Sequence, residues 1–241
     1  MNEADPAQLV PYVTGGAFLL AFIFGAVGNK TNFCTMGAVS VWVNLGDTSR
    51  LRMWLLAMAV ALIGSSALQV AGLVDFSKSI YTGASFTWLS YIVGGFLFGV
   101  GMTLGSGCGS KTLIRVGAGN LKSLVVYVFL GIAAYMTLRG LFGAFRVGVL
   151  ERASISLAPG QDLPSLFSTW FGLTKAAWTA ILAALVGAGL LAFIYKSRDF
   201  RASFDYTLGG VVTGLVVVGG WYVSGVVGHV AEDPNTLQEA F

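Results

Sequence analysis

The sequence has 241 residues, of which 56% are hydrophobic and only 10% charged, and its mean hydropathy is +0.78. A soluble domain carries about a quarter charged residues, and no water-soluble fold could hide this much apolar surface, because some polar face must meet solvent. The net charge of +3, with no basic run, excludes a nucleic-acid partner, and two cysteines and one histidine are too few for a closed protein-only zinc site or a disulfide framework.

Glu3 and Asp5 precede the first apolar segment, and no Lys or Arg does. A secretory signal opens with a basic region, so this segment is expected to stay as a membrane span. A span takes about 20 mostly apolar residues at about 1.5 Å of rise each. Six stretches qualify, at 10–28, 53–74, 88–105, 124–145, 176–195 and 206–230. The expected fold is therefore an all-α integral membrane protein of about six transmembrane helices, with the lipid bilayer as its surroundings. Arg139 falls inside the fourth stretch, where it should face protein or water or reach an interface.

Basic residues give the orientation. With the N-terminus outside, the cytoplasmic connections carry Lys30, Arg50, Arg52, Lys111, Arg115, Lys122, Lys196, Arg198 and Arg201, and the outer ones only Lys78, Arg146, Arg152 and Lys175. Nine against four predicts an N-outside, multi-pass protein. The acidic tail with Glu232, Asp233 and Glu239 agrees weakly, since acids count for little in this rule.

Two of the connections are not ordinary polar loops. Residues 29–46 and 106–121 each follow a span directly and mix Gly, small polar and apolar residues. They are expected to be short re-entrant or broken helices, which membranes tolerate where such backbone is buried in protein or lines a wet cavity. The 144–175 connection, with Pro159, Gly160, Pro164 and several charges, is expected to be an outer loop with a short surface helix. It divides the chain into a first unit (1–143) that holds both cysteines, the loop itself (144–175), and the last two spans with the tail (176–241).

The chain repeats itself. Phe24-Gly25 and Phe98-Gly99 are each followed by eight residues and a cysteine, Cys34 in one case and Cys108 in the other. Two spans separate the copies, so both enter the membrane in the same direction. This is a parallel repeat about an axis along the membrane normal. The glycine stripe Gly95, Gly99, Gly101, Gly105, Gly109 and its counterpart Ala17, Ala21, Gly25 suit close helix packing. Gly107 and Gly109 flank Cys108, where backbone is expected to bend towards a ligand.

Cys34 and Cys108 are expected to lie near mid-depth on one shared path, with Asn32, Thr35, Gly107, Gly109, Ser110 and Lys111 as companions. A free cysteine in a membrane helix is commonly a small hydrophobe; here the common register of the chain's two cysteines argues for more. Lys111 stands one helical turn after Cys108, so an ammonium and a thiol share a face if that segment is helical. His229, at the end of the last span, suits an interface better than a ligand set.

Taken together, NKTNFCTMGA, GGFLFGVGMTLGSGCGSKTLIRVGAG and GGWYVSGVVGHVAEDP make the chain resemble the YeeE/YedE family of bacterial membrane proteins over essentially its whole length. The resemblance implies a bacterial inner-membrane protein that takes up thiosulfate or a related sulfur anion. It also implies spans interleaved with short helix–loop–helix insertions, and contact between the ion and pathway cysteines, here Cys34 and Cys108. Long members have a second, related half with a further cysteine motif, whereas this sequence ends just after its sixth span. It is thus expected to be either a shortened member that completes its pathway by association, as a homo-oligomer or with a second-half partner, or part of a longer chain. No GxxxxGK[ST] sequence is present, so transport is expected to be passive or coupled to an ion gradient, with no cofactor. Two other readings compete: a membrane-bound sulfur-relay component whose nucleophilic cysteines hand sulfur to a cytoplasmic carrier protein, and a structural subunit of a larger transporter.

Overall fold

The computed structural model describes residues 6–157 and 160–229. Glu3, Asp5, Pro159, Val230 and the acidic tail lie outside the described residues.

The chain opens with α1 (Pro6–Lys30), passes through a turn into α2 (Thr35–Leu45) and continues into α3 (Ser49–Val70). The same sequence of shapes follows in α4 (Trp88–Leu104), α5 (Gly109–Gly117) and α6 (Leu121–Arg139). Then come the short helices α7 (Leu141–Phe145) and α8 (Leu163–Phe171), the long α9 (Lys175–Tyr195), the short α10 (Arg198–Ala202) and the long α11 (Phe204–Tyr222). A π turn, Val223–Val227, prolongs α11. Six helical stretches among the described residues are long and apolar enough to cross a membrane, as the sequence predicts.

The helix ends are chemically specified. Asn120 accepts hydrogen bonds from the Lys122 and Ser123 amides at the start of α6, Asp162 from Ser165 at α8, Thr174 from Ala177 at α9 and Ser197 from Phe200 at α10. The fourth span ends earlier than expected. It stops at Arg139 instead of running to 145, because Gly140 is extended (φ −96°, ψ −161°) and α7 begins anew. A Cβ on Gly140 would stand 2.8 Å from the Met136 carbonyl oxygen. Arg139 therefore occupies the last turn of α6, where its charge complements the helix dipole.

The core gathers α3, α9, α10 and α11. Met53, Leu56, Ile194 and Phe200 are fully buried, and Phe33, Leu190 and Tyr206 pack against them. The close approach of α3 to α11 depends on glycine. A Cβ on Gly214 would stand 2.6 Å from Val60 Cβ and 2.8 Å from the Ala57 carbonyl oxygen. The stripe singled out on α4 behaves differently: Gly95, Gly99 and Gly101 have nothing within 4 Å of where a Cβ would be.

At the opposite end from the cysteine turns, the 71–87 and 146–162 connections are joined. Strand β1 (Ser85–Phe86) pairs antiparallel with β2 (Ile155–Ser156), and Gln161 donates to the Tyr81 carbonyl at 2.8 Å. The expected loop thus carries a short helix, α8, and is tied to the α3–α4 connection.

Candidate functional site

Each cysteine follows the same helix-ending motif. At the end of α1, the Phe33 amide donates to the Gly28 carbonyl at 3.0 Å and the Asn32 amide to Asn29 at 3.4 Å. At the end of α4, the Gly107 amide donates to Met102 at 3.0 Å and the Ser106 amide to Thr103 at 3.3 Å. Both are Schellman turns, which place a left-handed residue just past the helix. Those residues are Asn32 (φ 52°) and Ser106 (φ 55°), the only non-glycine residues at positive φ among the described residues. Each stands two positions before its cysteine, so the parallel repeat extends to single backbone hydrogen bonds. The left-handed residue before Cys108 is Ser106, where the motif demands it, and Gly107 and Gly109 are not at positive φ.

Each turn delivers its cysteine to the N-cap of the next short helix, Cys34 to α2 and Cys108 to α5. Both are buried and free. Their sulfurs lie 3.7 Å apart, and Cys34 Sγ also accepts from the Gly37 amide at 3.4 Å. Two helix N-termini, each with positive partial charge, thus converge on one pair of thiols. Phe33 is half-buried against the core and edge-on to Phe24 (6.4 Å between centroids), which anchors the first turn. The equivalent Gly107 has no side chain, which leaves space beside Lys111 and Arg115.

The two copies are cross-linked by polar contacts. Lys111 Nζ donates to Asn32 Oδ1 at 3.0 Å, and Arg115 Nη1 donates to the Ser106 carbonyl at 3.0 Å. Both acceptors are neutral, so neither contact offsets the cation's charge. Lys30, in contrast, pairs with Asp205 at 3.8 Å on an exposed surface. Thr35 opens α2 and is half-buried, Gly109 opens α5 and lies near Leu130, and Ser110, the second residue of α5, is exposed. Sequence reasoning did not single out Ser106, Gly37 or Arg50. Ser106 was discoverable as the partner of Asn32 in the repeat. Arg50 comes from the next helix, α3, and no local spacing announces it.

The α1 turn lies close to one end of the bundle. Thr31, three residues before Cys34, touches the space beside Gly209, which Met53 also lines. Those residues are in the first two turns of α11 and α3. This is the end at which nine of the basic residues gather. Of two cavities elsewhere, one of about 590 Å³ lies between α3, α9, α11 and α8, and one of about 660 Å³ between α2 and α4. Neither is lined by a cysteine.

The chain is 27% identical over 220 residues to the thiosulfate transporter TsuA of Spirochaeta thermophila, a match covering 88% of this chain and 63% of that protein. It is 29% identical over 115 residues to the thiosulfate transporter TsuA of Escherichia coli, covering 47% of this chain and 31% of that protein. The chain thus spans less than two thirds of the length of either relative. The family described as sulphur transport matches residues 30–236, a stretch that takes in both cysteine turns. With that match over most of its length, this integral membrane chain belongs to the sulphur transport family.

Proposed function

We propose that the chain passes thiosulfate, or a closely related sulfur oxyanion, across the bacterial inner membrane by way of the Cys34–Cys108 pair, without covalent chemistry. The observation that carries this reading is the pair of facing thiols at two converging helix N-termini. A thiol is a weak donor and a weak, polarizable acceptor, matched to a soft terminal sulfur. Weak contacts let an ion bind and also leave. The helix termini, with Lys111 and Arg115, supply positive potential. Asn32, Thr35, Gly107, Gly109 and Ser110 shape the turns that present the sulfurs.

Uptake of labelled thiosulfate by proteoliposomes containing the purified chain tests the reading. Cys108→Ala is expected to abolish uptake while membrane insertion stays normal, since losing one small side chain costs little in packing compared with losing the sulfur contact. Unchanged uptake by this variant at normal expression would remove the thiol pair from the route.

A further inference from the structure

The residue that the geometry adds to the thiol pair is Arg50, at the start of α3. Gly37, in the first turn of α2, has no side chain. The point where its Cβ would stand lies 3.4 Å from Arg50 Nη1 and 3.8 Å from Cys34 Sγ. A methyl-sized space at Gly37 therefore borders both the Arg50 guanidinium and the Cys34 side chain.

Arg50 differs in employment from its neighbours. Arg52 is spent on structure: it donates to the Phe193 and Ile194 carbonyls and its guanidinium lies 4.2 Å over the Phe193 ring. Arg50 makes no salt bridge among the described residues. The nearby Asp47 carboxylate, whose Oδ1 accepts from the Ser49 amide (2.8 Å) and hydroxyl (2.7 Å), feels the Arg50 charge but forms no direct ion pair with it. Arg50 is half-buried, so its charge is only partly screened.

We propose that Arg50 determines specificity by holding the oxygen end of a sulfur oxyanion while the thiols take its terminal sulfur. This rests on the reading of the thiol pair as an anion site. A guanidinium presents a planar fork of donors matched to paired oxyanion oxygens, whereas a thiol offers only weak contacts. The combination selects a divalent ion with one soft and one hard end, over an ion of the same soft end but lower charge.

The experiment measures labelled thiosulfate uptake by the full chain in proteoliposomes, with unlabelled thiosulfate and methanethiosulfonate as competitors. Methanethiosulfonate keeps the terminal sulfur but carries one charge and two oxygens. The wild type is expected to prefer thiosulfate. Arg50→Gln is expected to raise KM for thiosulfate about ten-fold or more, with the maximal rate little changed, and to lower the preference over methanethiosulfonate by a similar factor. Arg50→Lys is expected to recover part of that preference, and it serves as the test if the Gln variant fails to insert. Gly37→Ala, which fills the gap, is expected to raise KM as well. A merely structural Arg50 would weaken both ions equally, so an unchanged preference in Arg50→Gln and Arg50→Lys overturns the proposal while leaving thiosulfate uptake intact. Absence of uptake by the wild-type chain overturns the underlying reading and this one with it.

Discussion

At the scale of single residues, the site depends on two backbone positions that are unusual for their side chains. Asn and Asp tolerate left-handed backbone because they bond locally, whereas Ser has less to offset the cost. Ser106→Gly should therefore raise thermal stability in detergent, by up to about 1 kcal/mol. Asn32→Gly should gain less or lose, because it also removes the acceptor for Lys111. A melt in which both variants behave alike would refute this. Lys111 can be tested against its simpler role as a charge that fixes topology. Lys111→Gln should weaken anion uptake and Lys111→Arg should alter it, with orientation unchanged, because a compact ammonium and a broad fork are not equivalent in a narrow site. Normal kinetics in Lys111→Gln would leave it a membrane anchor. Outside the spans, the Ser49 hydroxyl and amide hold the Asp47 carboxyl below its ordinary range. A depressed carboxylate stabilises the fold above its unfolded pKa and loses that contribution as pH falls. Asp47→Asn should thus lower the melting temperature at neutral pH, and the difference should shrink as pH falls below about 4 and vanish only once pH is below the depressed pKa of the folded carboxyl.

At the scale of elements, the sequence located the six spans and both broken connections, since hydropathy and length dictate them. It did not tell which glycine stripe packs. Gly95 and Gly99 on α4 have the same spacing as Gly210 and Gly214 on α11, yet only the latter meet a neighbour, the Leu56–Val60 face of α3. Spacing shows that a helix can be approached, and only the fold shows what approaches it. Gly214→Ala should then destabilise the α3–α11 contact by about 1–3 kcal/mol through overpacking. Gly95→Ala should be neutral or slightly stabilising, since a helical Gly→Ala change gains up to about 1 kcal/mol where nothing obstructs the methyl. Comparable losses in both variants, measured by thermal denaturation in detergent, would mean that α4 is as tightly packed as α11. The cysteine register was legible because the repeat is local along the chain. The 3.7 Å approach of the two sulfurs was not, because it depends on how α5 docks beside the end of α1.

At the scale of the whole molecule, alternating long helices put the two short cysteine-capped helices at one end and the β1–β2 connection at the other. The basic residues sort with this division. Lys30, Arg50, Arg52, Lys111, Arg115, Lys122, Lys196, Arg198 and Arg201 belong to the cysteine end by their places in the chain, and Arg139, at the end of α6, joins Lys78, Arg146, Arg152 and Lys175 at the other. Nine against five still favours a cytoplasmic cysteine end and an N-terminus outside. Two exposed positions discriminate the orientations: Ser154 beside β2 and Ala118 in the α5–α6 turn. With both native cysteines replaced by alanine, Ser154→Cys should react with a membrane-impermeant maleimide applied to intact cells with an opened outer layer. Ala118→Cys should react only after the membrane is permeabilised. The reverse pattern would invert the topology. It would make the thiol pair face the outside, so that Arg50, Lys111 and Arg115 would meet the anion on arrival and not on release.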